Sequence, residues 1–313
     1  MAKFLRSVAA FIADECGYPA SLYHALDTTK QFYTEFTTPP PNVSAENIVS
    51  WHEWGTQDGR LSGWRDLGGN YYGCFDIHYP KLAQFAIREE IPFWSCDIQD
   101  VVGLLFSKSN LDRFTSLDDL VETNSQEMIA DISIEGMEKN LAHDEIRIIH
   151  QTPSSDHFAH YAWDGRVFLM NGGGSHHFSA ARYIAARLQH PIPLTGRLCT
   201  YRINPAAVAG LRNDFSMFAL AGEAFSAFHR AMDRLRATFF VLKMPDPYVH
   251  HCYAVLLPRN EPRSRRAAKA LSEAGVFDLG EHLGDLVARQ ATQHVRPSMA
   301  KGTQLLSCRP GGY

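Results

Sequence analysis

Arg166-Val167-Phe168-Leu169-Met170-Asn171-Gly172-Gly173-Gly174-Ser175-His176-His177 is the stretch on which the fold turns. Residues 166–170 are mostly apolar, as in a strand covered on both faces. Asp164-Gly165 just before them is a hairpin signal. Beyond the glycines, residues 178–188 are rich in alanine. Phe178, Ala181, Ile184, Ala185 and Leu188 recur at helical spacing, which predicts an amphipathic helix. Pro191 and Pro193 end it. A strand that enters a helix through three glycines predicts an α/β (α+β) protein with a mixed sheet and helical additions.

The loop has a chemistry of its own. A helix N-terminus leaves amides without partners and carries partial positive charge. Glycines let the backbone reach positive φ and approach an anion closely. Ser175 adds a hydroxyl donor, and His176 and His177 add ring N–H groups. Gly172, Gly173, Gly174, Ser175, His176 and His177 are therefore the candidate phosphate-binding set. A plain tight turn is the alternative. The loop matches neither G-x-x-x-x-G-K-S/T nor G-x-G-x-x-G. It also departs from G-x-S-x-G, since His177 stands where the last glycine belongs; that argues against a serine hydrolase.

Working outward, residues 1–35 read as helical, with apolar Phe4, Val8, Phe11 and Ile12. Thr37-Thr38-Pro39-Pro40-Pro41 reads as a linker. The aromatic-rich stretch 50–80 reads as short strands and turns, its rings packed together. Ser116 with Asp119 marks a helix start. Residues 128–137 predict a helix ending at Gly136, and Asp131 and Glu135 would share its face. Strands are predicted at 145–150, 157–163, 198–203, 239–243 and 252–257. Helices are predicted over 205–240 and 263–274, and a loose tail from Arg296. The implied regions are 1–110, helical and aromatic-rich; 111–204, the nucleotide-binding core; 205–295, an α/β region packed on it; and 296–313, an extended tail.

Composition permits a full core without crosslinks. Of 313 residues, 45% are hydrophobic and 20% charged, with a net charge of −4. A mildly acidic chain is not a wholly basic nucleic-acid binder. None of the six cysteines sits at C-x-x-C spacing, so neither a zinc ribbon nor a redox pair is indicated; reduced cytoplasmic thiols are expected. The apolar run 8–13 is too short for a signal segment, and no stretch is long enough to span a bilayer.

The order of elements around the loop resembles the ParB/sulfiredoxin superfamily over residues 112–204. Asp131-Ile132-Ser133-Ile134-Glu135-Gly136 stands where that family has a Ser-Ile-x-x-x-Gly helix end. Gly174-Ser175-His176-His177-Phe178-Ser179-Ala180-Ala181 stands at its G-x-H-R phosphate loop and alanine-bearing helix. The resemblance implies a nucleotide with its phosphate on the backbone of 173–176, and His176 as the family histidine. His177 replaces the family arginine, whose charge Arg182 would supply. Ser175 replaces the reactive cysteine or glutamate, which argues against peroxiredoxin repair and leaves Ser175 as a phosphate ligand or acceptor.

The expected function is nucleotide binding with phosphotransferase or nucleotide hydrolase chemistry. His176, Ser175 and Glu135 are the candidate catalytic groups. Mg²⁺ would accompany a nucleoside triphosphate, held by phosphates and by carboxylates among Glu135, Asp144, Glu145 and Asp156. His157 and His160, three apart on a strand, point to opposite faces and make a poor metal pair. A ParB-like nuclease or DNA-binding regulator is the alternative, with Arg263, Arg265, Arg266 and Lys269 as a basic stripe for nucleic acid; a non-catalytic interaction protein is the second alternative.

Overall fold

The computed structural model describes residues 2–28, 32, 42–55 and 58–292. The 37–41 linker, the tail from Arg296, and the side chains of Phe4 and Val8 lie outside that set. The chain opens with α1 (Ala2–Glu15) and α2 (Ala20–Thr28). A hairpin follows, β1 (Arg60–Asp66) and β2 (Tyr72–His78), then the single turn α3 (Pro80–Ala83), the long β3 (Ala86–Asp97) and the short β4 (Val101–Leu104). Helices α4 (Leu117–Asn124) and α5 (Ile134–Leu141) and the single turn α6 (Arg147–His150) lead to a second hairpin, β5 (His157–Tyr161) and β6 (Val167–Met170). After it come α7 (Ser175–Leu188), β7 (Pro193–Ile203), α8 (Pro205–Asp214), β8 (Phe215–Ala221), α9 (Phe225–Leu235), β9 (Phe239–Lys243), β10 (Cys252–Pro258), α10 (Pro262–Glu273) and α11 (Leu279–Thr292).

The strands form two five-stranded sheets, ordered β2-β1-β9-β10-β8 and β3-β7-β5-β6-β4. The first is antiparallel throughout. The second is mixed: β5 runs parallel to β7, and β4 parallel to β6. The protein is therefore α/β (α+β) with a mixed sheet, and β6 lies inside that sheet between β5 and β4.

Side-chain alternation sorts the residues into layers. Ala159, Tyr161 and Phe168 of the mixed sheet meet Leu61, Phe240, Leu256 and Met217 of the other in one core. The opposite face of the mixed sheet, with Phe158, Val167, Leu169 and Leu198, is covered by α4, α5 and α7 through Leu120, Met137, Phe178 and Ile184. The outer face of the antiparallel sheet, with Phe218, Leu220, Val255 and Leu257, is covered by α2, α9 and α10 through Leu22, Phe228, Met232 and Leu271. The result is four layers, helix–sheet–sheet–helix. Each fully buried Leu or Phe contributes roughly 1.5–3 kcal/mol by leaving water. The loop-bearing sheet also takes β3 and β4, which precede residue 111.

Several local expectations hold. Ser116 caps α4, its Oγ accepting from the Asp119 amide across 3.0 Å. Gly165 turns the β5–β6 hairpin at φ 87°, and its amide donates to the Tyr161 carbonyl. In the aromatic stretch, Trp51 and Trp54 are buried and pack edge-on, and Trp54 meets Phe85 at 4.7 Å.

Three do not. Residues 128–136 are not a helix ending at Gly136. Ser133 instead caps the start of α5, and its Oγ accepts from the Gly136 amide across 3.0 Å. A glycine three residues after a serine fits either end of a helix; the serine's capping bond decides for the start. Asp131 consequently lies outside the helix. Residues 145–150 are not a strand, because 147–150 form the turn α6, with Ile146 and Ile148 buried and Ile149 exposed. Residues 205–240 are not continuously helical. β8 interrupts them, with Met217 facing the inter-sheet core and Phe218 and Leu220 facing the helices. A strand buried on both faces has no period-two signal to distinguish it from a helix. Two of the elements on which the ParB/sulfiredoxin resemblance rested, the helix end at Gly136 and the strand after it, thus have a different structure.

Candidate functional site

The loop leaves β6 through Asn171, which is 3% exposed. Its side chain accepts from the Phe106 amide across 3.1 Å and donates to the Phe106 and Gly173 carbonyls, each across 2.9 Å. The end of β6 is thereby tied to the segment following β4. The Gly172 amide donates to Asp156 Oδ1 at 3.0 Å, and the Gly174 amide to Glu145 Oε2 at 3.2 Å. Gly174 sits at φ 69° and precedes α7. A Cβ there would lie 2.9 Å from the backbone of Glu145 and Ile146, so both its conformation and its space require glycine.

These bonds change the reading of the loop. The Gly172 and Gly174 amides serve the protein's own carboxylates. Gly174 has no side chain to cap α7, and among the described residues the Ser175, His176 and His177 amides have no backbone acceptor. The donors open to an anion are therefore the first turn of the helix. Asp156 is 2% exposed, and burial raises its carboxyl pKa against the pull of the Gly172 amide and of Arg147, 3.9 Å away.

Gly172 to His177 line a cleft of about 310 Å³ together with Phe106, Lys108, Asn124, Ser125, Glu127, Met128, His143 and Glu145. The two loop histidines differ in role. His176 has both ring nitrogens engaged: Nδ1 with the hydroxyl of buried Ser125, and Nε2 with Ser109 Oγ at 3.1 Å and Ser107 Oγ at 3.4 Å. It clamps α7 to the 107–109 and 125 segments. Among the described residues, His177 has one engaged ring nitrogen. Asn140 donates from Nδ2 to the carbonyls of Met128 and Gly136, both at 2.9 Å, which fixes the orientation of its amide. Its Oδ1 then accepts from His177 Nδ1 at 3.1 Å. In the neutral ring this leaves Nε2 with the lone pair. His143 stacks on His177 with ring centroids 3.9 Å apart. Burial lowers the His177 pKa, and His143 and His176 lower it further, against Glu145. Burial lowers that of His176 as well.

Ser175 is buried and donates to Ser107 Oγ at 3.0 Å. Arg182 is not a cleft residue. Its guanidinium donates to the Val101 carbonyl at 3.1 Å and to Asp118 at 2.9 Å, pinning α7 to α4 and the start of β4. Glu135 is exposed in the first turn of α5, outside the cleft lining. Asp144 is exposed and Asp156 backs the loop, so Glu145 is the carboxylate of that set that lines the cleft. Of the basic run, Arg263 donates to the Leu235 and Glu15 carbonyls, Arg266 to that of Gly17, and Lys269 pairs with Glu273 at 3.6 Å. Arg263 and Arg266 thus tie α10 to the ends of α9 and α1, the Lys269 pair lies within α10, and Arg265 is exposed. Among the described residues, no three of His, Cys, Asp and Glu gather as a metal site. Nor is any described helix long and apolar enough to cross a membrane.

The sequence reading missed Phe106, Lys108, Ser125, Glu127, Asn140 and His143. They lie about 30–70 positions from the loop, in segments with no motif: the pairing of β4 with β6 and the Asn171 bonds bring Phe106 and Lys108 to it, and the packing of α4 and α5 on α7 brings the others.

No curated protein and no solved structure matches the chain. Residues 91–296 match the profile of a family of unknown function, DUF6685. That span runs from within β3 to past α11 and contains every residue of the cleft. It covers about two thirds of the sequence, and the chain belongs to the DUF6685 family.

Proposed function

We propose that the cleft binds a nucleotide through its phosphate and hydrolyses or transfers a phosphoryl group, with His177 as general base. The observation that carries this reading is the state of His177. Asn140 fixes its tautomer, His143 holds the ring by stacking, and its environment favours the neutral form. A base held this way stands ready to take a proton. It sits on the helical turn whose amides lack acceptors, in a cleft that Lys108 also lines, so the anion and the base share one site.

In the proposed step, Nε2 of His177 takes the proton of a water or an acceptor hydroxyl as its oxygen bonds to phosphorus. The bond from phosphorus to the leaving oxygen breaks, and that oxygen keeps the electron pair. The α7 amides and Lys108 stabilise the negative charge on the phosphoryl oxygens. The proton then passes from His177 to solvent. His176, saturated by serines, holds the architecture. A divalent ion would take most of its ligands from the phosphates and water, as Mg²⁺ on a nucleotide does, with Glu145 or Glu127 as the protein's carboxylate.

Thermal-shift measurements with ATP, CTP, GTP and their diphosphates, with and without Mg²⁺, test the binding. A ligand at 100 times its Kd adds about 2.7 kcal/mol of stability. Phosphate release by the wild type and by His177→Gln tests the chemistry. No shift with any nucleotide would sink the reading.

A further inference from the structure

We infer that the ligand of this cleft carries an aromatic base with an exocyclic amino group, stacked on Phe106, and that the cleft accepts a mononucleotide. The inference rests on the phosphate-binding reading above and adds the class of molecule that bears the phosphate.

Phe106 is 56% exposed, yet it lines the cleft that holds the α7 N-terminus. An exposed phenyl ring alone means little. What sets this one apart is its mounting. Both backbone groups of Phe106 are bonded to one buried side chain, Asn171, which also donates to Gly173. The ring's attachment is therefore coupled rigidly to the phosphate loop. An aromatic surface held at a set position from an anion site is what a flat base and its phosphate require.

The remaining lining fits the edge of such a base. Met128 is half-buried and supplies an adaptable apolar contact. Asn124 donates from Nδ2 to Ser109 Oγ at 2.8 Å, which leaves its Oδ1 as an acceptor. Glu127 is exposed in the same lining and is acceptor-only when ionised. Two acceptors in the same lining as a stacking ring favour a base that donates from an amino group over one that presents a carbonyl there. A volume of about 310 Å³ is at the low end for small-molecule sites, roughly 300–1,000 Å³, and suits one nucleoside unit with its phosphate.

Isothermal titration of the full chain with AMP, CMP, UMP, ribose 5-phosphate and inorganic phosphate tests this. AMP or CMP is expected to bind about 10- to 100-fold more tightly than ribose 5-phosphate, the range of one stacked base, and more tightly than UMP. Phe106→Ala should remove that advantage and leave ribose 5-phosphate binding unchanged, whereas Phe106→Trp should keep it. The ring is largely solvent-exposed and its backbone bonds survive either change; a thermal melt of each variant verifies folding. Equal binding of AMP and ribose 5-phosphate, or equal weakening of both by Phe106→Ala, would overturn this inference alone. No binding by any of the five would overturn it together with the reading on which it rests.

Discussion

Asn140 accepts from Nδ1 of His177 across 3.1 Å, and that bond sets which ring nitrogen of His177 is left with the lone pair. The two residues come from different helices, α5 and α7, so the tautomer is a product of helix packing.

Imidazole nitrogen NMR at pH 8 should show His177 as the Nδ1–H tautomer. Asn140→Ala should abolish the preference. It should also destabilise the fold by about 1–3 kcal/mol, because the carbonyls of Met128 and Gly136 lose their donor in a buried setting. A variant with wild-type stability and an unchanged tautomer would refute the arrangement.

Activity should depend on His177 far more than on His176. His177→Gln is expected to lower phosphoryl turnover by about 10²–10⁴-fold, the usual contribution of a general base, with nucleotide affinity within a few-fold of wild type. Because the His177 pKa is lowered from its ordinary 6.5, the neutral, active form persists to more acidic pH. Turnover should rise with pH and reach its midpoint below 6.5. A midpoint above 7 would contradict the burial assigned to the ring.

Stability should fall in mild acid. His160 is 1% exposed, and burial lowers its pKa to about 4, with Arg202 acting in the same direction. Unfolded, it titrates near 6.5. Above 6.5 the ring is neutral in both states, and the full stability is present. Between 6.5 and 4 the unfolded chain binds a proton that the folded chain does not, so stability drops as pH falls. His157 and His282, also lowered by burial, act in the same sense. Urea melts at pH 7.5, 6 and 5 should give successively lower midpoints, and His160→Gln should flatten the trend.

Gly174→Ala should cost about 1–3 kcal/mol, since alanine is strained at φ 69° and its Cβ meets the backbone of Glu145 and Ile146. Gly173→Ala meets mainly the side chain of Glu145, which can move, and should cost less. Denaturant titration of the pair checks the order.

Arg182→Met separates a strut from a ligand. It should lower stability by about 2 kcal/mol, through loss of charge-assisted bonds to Asp118 and Val101, and leave nucleotide affinity in the folded protein unchanged. A selective loss of affinity at unchanged stability would return Arg182 to the binding role that the sequence suggested.

Much of the local structure was legible in the chain. Strand β6, the Gly165 turn, the glycine loop, α7 and the Ser116 cap each depend on neighbours within a few positions: apolar spacing, a residue free to adopt positive φ, a hydroxyl three residues before an amide. The misreadings at Gly136 and at 145–150 came from patterns that fit two structures. Ser133 could begin a helix as readily as Gly136 could end one. Ile146, Arg147 and Ile148 could form a strand until the loop beside them claimed their flank.

By itself, the sequence determined that residues 166–188 form strand, glycine loop and helix, because those choices are made by short-range sterics and hydrophobic period. Only the tertiary structure decided which donors and which histidine the cleft presents. Glu145 and Asp156 take two loop amides, three serines saturate His176, and Asn140 leaves one nitrogen of His177 free. These contacts join residues 16 to 69 positions apart, some set by the pairing of β4 and β5 with β6 and some by the packing of α4 and α5 on α7, and hydrogen bonds of that range leave no period in a sequence.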